Sequence, residues 1–201
     1  MAMRLPAEQR RSQLLEVAVE VFAERGFHAT SMDEVAEAAG VTKPVLYQHF
    51  PSKRALYLEL LADVDEQLMA RLVAATGGVE TGRERVQEGF AAYFRFVGEH
   101  RAAFRLLFGA SVRNDSEFSE IAERAIDRIA ELIAELIDID APTEHRRSLA
   151  HAIVGMAEAT SRRVANDEGE VDPDRLAAWL AEMAWFGLRG VRAEEAQVPN
   201  G

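Results

Sequence analysis

The stretch AGVTKPVLYQHFPSK, residues 39–53, is the part of the sequence from which the fold and the function are inferred. A turn at Gly40 is followed by a short segment with helical spacing. At about 100° per residue, Leu46 and Phe50 fall on the same side of a helix that starts at Lys43. These two apolar residues are therefore predicted to point inward, and most of the polar residues are predicted to point outward.

The outward side of this short helix mixes apolar and hydrogen-bonding groups. Pro44, Val45 and Gln48 lie opposite the two anchors, and Tyr47 and His49 lie on the flanks. A glutamine can pair with an adenine edge, a lysine can reach a guanine or a phosphate, and a small apolar group can pack on a thymine methyl. This face is therefore suited to a DNA major groove. Short helices with exposed polar residues also arise from packing alone, so the periodicity leaves both interpretations open.

The rest of the chain also has helical spacing, and strand signals are absent. Ser31 and Glu34 form a capping-box pattern before the second helix, and Ser52 is placed to cap the fourth. The predicted fold is all-α, with a three-helix helix-turn-helix head at the N-terminus and a helical bundle after it. We predict helices at about 7–25, between Ser31 and Gly40, and at 43–50, 52–75, 83–99, 101–110, 116–137, 143–167 and 173–192.

Composition and motifs exclude several classes of function. The 201 residues include no cysteine, so a disulfide framework or a zinc–cysteine site is impossible. The five histidines lack ligand spacing, and there is no glycine-rich phosphate loop or nucleophile with a base. We therefore expect no metal, no cofactor and no enzymatic activity. No apolar run approaches the roughly 20 residues that span a bilayer, and no signal peptide is evident, so we expect a cytoplasmic protein without a membrane partner.

The net charge of −11 is unevenly distributed. Residues 1–54 contain seven Lys/Arg and seven Asp/Glu, so the excess of acid lies in residues 55–201. Residues 38–58 contain three basic side chains and no carboxylate. An acidic protein binds polyanions poorly in general, because like charges repel. Any binding to a nucleic acid is therefore expected at this window.

Residues 10–61 closely resemble the N-terminal domain of the tetracycline-repressor (TetR) family. The resemblance is carried by FAERGF, ATSMDEVA and AAGVTKPVLYQHFPSK, all with the family's spacing. It implies a homodimeric transcriptional regulator of double-stranded DNA that recognises a pseudo-palindromic operator, commonly a repressor released by a small-molecule effector. Together with the face analysis, it gives these candidate DNA-binding residues: Thr30, Ser31, Thr42, Lys43, Pro44, Val45, Tyr47, Gln48, His49 and Lys53.

The body of the chain is predicted to bind an effector and to dimerise. We expect a DNA-binding domain at 1–54, an effector-binding and dimerisation domain at 55–192, and a polar tail at 193–201. An aromatic cluster either lines an apolar pocket or packs in the core; its members are Phe90, Phe94, Phe104 and Phe108. The last two helices carry apolar residues over much of their surface, which predicts an isologous interface with a second copy. The candidate interface residues are Ala152, Met156, Ala159, Trp179, Met183 and Phe186.

Two classes of function remain open at this point. The first is a DNA-binding regulator that responds to a hydrophobic ligand. The second is a helical ligand-binding or interaction protein without specific DNA binding. Val45 favours the second class, because the family often has a small hydroxylated residue or alanine there and valine cannot hydrogen-bond a base.

Overall fold

The computed structural model describes residues 6–108, 115–166 and 172–191, and the regular elements within these ranges are all α-helices. The prediction of an all-α fold is confirmed, and each predicted helix is present, with described ends that match the predicted ones or differ by up to four residues. The predicted helix ends at 110, 167 and 192 lie outside the described residues. The predicted tail at 193–201 lies outside the described residues. The helices are α1 (Ala7–Ala29), α2 (Met32–Ala38), α3 (Lys43–His49), α4 (Lys53–Gly77), α5 (Gly82–Glu99), α6 (Arg101–Phe108), α7 (Ser116–Leu136), α8 (Thr143–Asn166) and α9 (Pro173–Gly190).

Helix α1 is interrupted at Gly26, where φ is 78° and ψ is 165°. Glycine adopts a positive φ at little cost because it has no Cβ atom. The chain then makes one further turn, in which the Thr30 backbone N–H donates to the Gly26 carbonyl at 3.3 Å. The regular part of the helix therefore stops at the predicted glycine, and a short turn leads the chain into α2.

The turn between α2 and α3 has the hydrogen bonds of a glycine-terminated helix. Gly40 has a φ of 65°. Its N–H donates to the Glu37 carbonyl at 3.0 Å, and the Val41 N–H donates to the Ala36 carbonyl at 3.0 Å. This is the Schellman pattern, which satisfies the last carbonyls of a helix and lets the chain reverse. The geometry fixes the direction in which α3 leaves α2.

A first compact unit consists of the described residues within 1–67 and 100–124. It contains α1 to α3, most of α4, α6 and the start of α7. Four aromatic rings form its centre, with the Tyr57 ring 5.0 Å from Phe22, 5.0 Å from Phe27 and 4.7 Å from Phe118. Phe118 is 1 % exposed, so the start of α7 is packed firmly within this unit.

A second compact unit consists of the described residues within 68–99 and 125–201. In it, α9 packs along α5, and the two helices approach closely at Gly98. A Cβ atom at Gly98 would lie 2.9 Å from Cγ of Pro173, which is too close for a real contact. The Arg95 guanidinium also pairs with the Asp174 carboxylate, with Nε 2.7 Å from Oδ1. The absence of a side chain at position 98 therefore sets the spacing of these two helices.

The compact units divide the chain differently from the predicted domains. The first unit extends past residue 54 along α4 and includes residues 100–124, which the sequence assigns to the body. Within the described ranges, none of the helices is long and apolar enough to cross a membrane.

Candidate DNA-binding interface

Helix α3 rests on two buried anchors. Leu46 is 0 % exposed and Phe50 is 1 % exposed, as the helical spacing predicts. The Arg11 guanidinium lies 4.9 Å from the centre of the Phe50 ring and also pairs with the Glu59 carboxylate, so α1, α3 and α4 are fastened together at this point. With seven residues, α3 is too short to be stable alone. Its position therefore depends on these contacts.

The opposite side of α3 is open to solvent. Pro44, Tyr47 and Gln48 are exposed, with Tyr47 at 41 %, and Val45 and His49 are half-buried. Thr42 is the N-cap residue and is exposed, and its side chain makes no capping hydrogen bond, so its hydroxyl is available to a partner. The predicted outward face therefore exists as a surface. Its contacts with DNA remain a prediction.

Lys43 forms an ion pair across the two helices of the motif. Its Nζ lies 2.8 Å from Oδ1 of Asp33 on α2, and both side chains are more than half exposed. The hydrogen bond to Asp33 raises the pKa of Lys43, so the ammonium remains charged. Asp33 holds the lysine at the entrance of α3 and also places a negative charge where a phosphate is predicted to bind.

Ser31 is occupied by the helix that it caps. The Ser31 backbone N–H donates to Oε2 of Glu34 at 2.8 Å, and the Glu34 N–H donates to Oγ of Ser31 at 3.3 Å. The Ser31 hydroxyl also donates to Oε2 of Glu34 at 2.8 Å. The two hydrogen bonds that the carboxylate accepts from the backbone N–H and the hydroxyl of Ser31 lower the pKa of Glu34, so the carboxylate stays ionised beside the helix start. The sequence predicts a phosphate contact at Ser31, whereas the structure uses its polar groups in the capping box.

Thr30 and Lys53 are also placed differently from their predicted roles as phosphate contacts. The Thr30 side chain is buried, at 2 % exposure, and its hydroxyl donates to the Gly26 carbonyl at 2.9 Å. The Lys53 ammonium donates to the backbone carbonyls of Phe27, His28 and Thr30, at 2.7, 3.2 and 2.8 Å. A lysine has three N–H donors. The polar groups of both side chains are thus used inside the head.

The second unit contains a cavity of about 520 Å³ with mostly apolar walls. Of the four aromatic residues proposed from the sequence, Phe90 lines it. Phe94 is buried outside the lining, and Phe104 and Phe108 pack on each other in the first unit, 4.9 Å apart. One wall comes from α7, whose lining residues recur with helical spacing and were not identified from the sequence: Ile129, Leu132, Ile133 and Leu136.

The predicted dimerisation residues form an exposed apolar surface on α8 and α9. Trp179 is 54 % exposed, Met183 is 54 % exposed and Phe186 is 62 % exposed. On α8, Ala152 and Ala159 are exposed and Met156 is half-buried. Large apolar residues this exposed and this close together on one helix are uncommon on the free surface of a protein.

No group of three or more acidic or histidine side chains is close enough to hold a metal ion anywhere in residues 6–108, 115–166 and 172–191. In the first unit, the buried apolar side chains and the ion pairs hold the helices together. The side chains exposed on α3 and at the turn before it can form hydrogen bonds and ion pairs with a partner.

Comparison with known families accounts for most of the chain. Residues 14–60 match the family described as bacterial regulatory proteins, tetR family. Residues 83–187 match the family described as tetracyclin repressor-like, C-terminal domain. The first matched segment corresponds to the helix-turn-helix region, and the second contains most of the residues that line the cavity and the exposed apolar surface.

The similar proteins are transcriptional regulators and not enzymes. The chain is 35 % identical over 190 residues to the HTH-type transcriptional activator FasR of Mycolicibacterium smegmatis, covering 94 % of this chain and 87 % of that protein. It is 36 % identical over 117 residues to the HTH-type transcriptional repressor KstR2 of Mycobacterium tuberculosis, covering 57 % of this chain and 58 % of that protein.

A solved structure has the same fold along nearly the whole chain. The crystal structure of a TetR-like transcriptional regulator from Rhodococcus sp. RHA1 superposes with a TM-score of 0.78 at 34 % identity. The match covers 94 % of this chain and 100 % of the other. Both matched families and these relatives support the first of the two classes of function, a regulator that binds DNA. The chain therefore belongs to the TetR family of DNA-binding transcriptional regulators.

Proposed function

We propose that this chain is a cytoplasmic homodimer that binds a pseudo-palindromic operator through α3 of each subunit and is released from it by a small apolar effector. Such a release makes the protein a repressor when the operator overlaps a promoter. The observation that carries the proposal is the exposed face of α3 above the buried Leu46 and Phe50.

The surface chemistry of α3 supports DNA reading by a small set of side chains. Gln48 offers both a donor and an acceptor to a base edge, and Val45 offers an apolar contact to a thymine methyl. Tyr47 and His49 lie beside them and are suited to the sugar–phosphate backbone, which fixes the register of the protein on the duplex. Lys43 adds a cation at the start of the helix.

The exposed apolar surface on α8 and α9 supports the dimer. Trp179, Met183 and Phe186 lie at positions i, i+4 and i+7 of one helix, so they form a continuous stripe. A second copy that packs the same stripe against it would remove these side chains from water in a two-fold arrangement. To bind two half-sites at once, the two reading helices of such a dimer must enter successive major grooves, which lie about 34–36 Å apart.

The cavity in the second unit supports an apolar effector. Its volume of about 520 Å³ is typical of sites for small molecules. Tyr93 lies in the wall, and burial raises the pKa of its phenol, so the side chain stays neutral. An effector that binds one conformation better than another by about 1.4 kcal/mol weakens DNA binding tenfold.

Helix α4 connects, along the chain, the DNA-reading helix α3 to the cavity proposed to bind the effector. It begins at Lys53, three residues after Phe50, and its last turns contribute Leu72 and Thr76 to the cavity. A change in the cavity that tilts α4 would therefore act on the segment that follows α3 directly.

The proposal is tested by DNA binding. A fluorescently labelled fragment taken from directly upstream of the protein's own reading frame is titrated with the protein over a range of salt concentrations. We expect specific binding with a steep salt dependence, because contacts with phosphates release counterions. Lys43→Ala and Tyr47→Ala should each weaken binding, whereas Glu20→Ala, an exposed substitution on α1, should leave it unchanged.

Two results would contradict the proposal. Unchanged affinity in both the Lys43 and the Tyr47 variant would show that α3 does not form the interface. Equal affinity for the upstream fragment and for unrelated DNA, at every salt concentration, would show that the protein does not recognise an operator at that place.

A further inference from the structure

Lys53 connects two parts of the head that are far apart in sequence. It is the first residue of α4, and it donates three hydrogen bonds to carbonyls that lie 26, 25 and 23 residues earlier, at the end of α1. The same ammonium lies 4.6 Å from the centre of the Phe27 ring, which adds a cation–π contact. The half-buried lysine is therefore held from several directions.

The local backbone explains why carbonyls converge there. The break at Gly26 leaves the carbonyls of residues 27 to 30 outside the regular hydrogen bonding of α1. Carbonyl groups at a helix C-terminus carry a partial negative charge and attract a cation. Lys53 supplies that cation from the start of a different helix, so it completes the end of α1.

The two ends that Lys53 joins are the entrance and the exit of the helix-turn-helix. Thr30, whose carbonyl it binds at 2.8 Å, immediately precedes the N-cap of α2. Lys53 itself follows α3 after a three-residue connection. Helices α2 and α3 have seven residues each, and helices of that length depend on tertiary contacts for their position.

We propose that Lys53 is a positioning residue of the DNA-reading head and not a phosphate-binding residue. Its three donors are bonded to the protein's own backbone, so none is left for a phosphate oxygen. It acts through α2 and α3, because it fixes the distance between the residue before α2 and the residues after α3. Lys43, which is more than half exposed, is the lysine that meets the phosphate backbone.

The test compares Lys53→Met with Lys43→Met, the same substitution at the two lysines of the motif. The binding of each variant is measured on the labelled upstream fragment and on unrelated calf-thymus DNA over a salt series at low temperature. Thermal unfolding of both variants is recorded as well. Each lost phosphate contact reduces the slope of log K against log salt concentration by about 0.9, so one lost contact in each subunit of the dimer reduces it by about 1.8.

For Lys53→Met we expect an unchanged salt slope, a lower unfolding temperature and weaker binding to the upstream fragment. The loss should be about five- to hundredfold, the effect of one mismatched base pair, while the affinity for unrelated DNA is kept. For Lys43→Met we expect the slope to fall by about 0.9 per subunit and binding to both DNAs to weaken.

Three results would overturn the proposal. A fall of the slope in Lys53→Met would identify a phosphate contact. Unchanged stability and binding would show that the carbonyl contacts have no effect. Lower stability with an unchanged ratio of specific to unrelated affinity would show a stabilising role without positioning.

A measurement on the unaltered protein decides the matter if Lys53→Met does not fold. We expect scalar coupling across the hydrogen bonds between the Lys53 Nζ and the carbonyl carbons of Phe27 and Thr30, in the free protein and in the DNA complex. Coupling of that Nζ to a phosphorus atom in the complex would overturn the proposal. If the upstream fragment is not bound specifically, the coupling in the free protein still tests the contact.

Discussion

The Arg54 guanidinium donates two parallel hydrogen bonds, each 2.9 Å long, to the Asp115 carboxylate. Arg54 lies at the start of α4, and Asp115 immediately precedes α7. The guanidinium also donates from Nε to Glu117 at 2.6 Å and lies 4.7 Å from the centre of the Phe118 ring. The Asp115 side chain in turn accepts the Phe118 backbone N–H at 3.3 Å. One carboxylate thus caps α7 and fastens it to the helix that follows the reading helix.

Asp115→Asn should lower the stability of the protein in a pH-dependent way. The hydrogen bonds from Arg54 lower the pKa of Asp115 below its ordinary value of 3.8. Stability from a lowered carboxyl pKa is fully present above the ordinary pKa and is lost as the pH falls through the lowered pKa. The unfolding temperatures of the unaltered protein and the variant should therefore differ near neutral pH and converge as the pH falls through the lowered pKa of Asp115.

A matched control for this measurement is Glu120→Gln, an exposed carboxylate on the same helix whose nearest contact with Arg124 is 3.9 Å. It should leave the unfolding temperature nearly unchanged, because exposed pairs contribute little. A gap between the Asp115 variant and the unaltered protein that persists unchanged into acid would rule out the ion pair as its cause.

Asp33→Asn should tighten DNA binding. The substitution removes a negative charge beside the predicted phosphate site and releases Lys43 from its 2.8 Å ion pair. Since exposed pairs are weak, we expect an improvement of roughly two- to fivefold in the dissociation constant at low salt, which fades at high salt. Glu37→Gln, an exposed carboxylate on the same helix, is the comparison. Weaker binding by the Asp33 variant would show that the carboxylate orients Lys43 for the contact.

Phe186→Asp should convert the proposed dimer into a monomer. The side chain is 62 % exposed in the single chain and lies on the stripe with Trp179 and Met183, so a charge there would be buried without a partner in the assembly. Light scattering after size-exclusion chromatography should give 22.3 kDa for the variant and twice that mass for the unaltered protein.

Val73→Asp is the control for the dimer, because Val73 is an apolar residue on α4 that is 49 % exposed. It should stay dimeric. If the unaltered protein itself ran as a 22.3 kDa particle at every concentration, the interface assignment would fail.

Leu132→Trp should block the cavity. Leu132 lies in the α7 wall, and a larger ring there occupies space that an apolar ligand needs. The fluorescence of the apolar probe N-phenyl-1-naphthylamine should rise with the unaltered protein and stay near the buffer level with the variant. Glu135→Trp adds the same ring to the exposed side of the same helix and should bind the probe normally. Equal fluorescence in all three proteins would place the probe elsewhere.

The helical framework and the orientation of α3 could be predicted because they depend on local spacing. Leu46 and Phe50 are four residues apart, so they share one side of any helix that contains both, and a buried apolar pair follows directly. Gly26 and Gly40 mark helix ends for another local reason: a glycine adopts a positive φ more readily than other residues do.

The partners of the polar side chains could not be predicted in the same way. Nothing near Lys53 in the sequence indicates that its ammonium meets carbonyls more than 20 residues earlier. Asp33 likewise reaches Lys43 because the Gly40 turn brings α2 and α3 together. Such contacts depend on tertiary geometry. The resemblance to DNA-binding relatives does not indicate them, because it assigns a DNA contact to both Lys43 and Lys53.

The sequence left open whether the aromatic cluster lines a pocket or packs in the core. Phe94 and Phe104 are apolar residues at helical spacing and are buried, at 2 % and 3 % exposure, but apolar periodicity does not say what a buried ring faces. The lining residues on α7 carry an equally regular pattern of Ile and Leu, which the absence of aromatic residues made less conspicuous.

The packing of Phe118 against Phe27 and Tyr57 determines how this regulator can be cut and recombined. A fragment that ends after α4 would expose the Phe27 and Tyr57 rings to water and would lack the Asp115 carboxylate that pairs with Arg54. A chimaera that uses this reading helix must therefore include residues 100–124 as well as residues 1–67, because the compact unit is formed by two separate stretches of the chain.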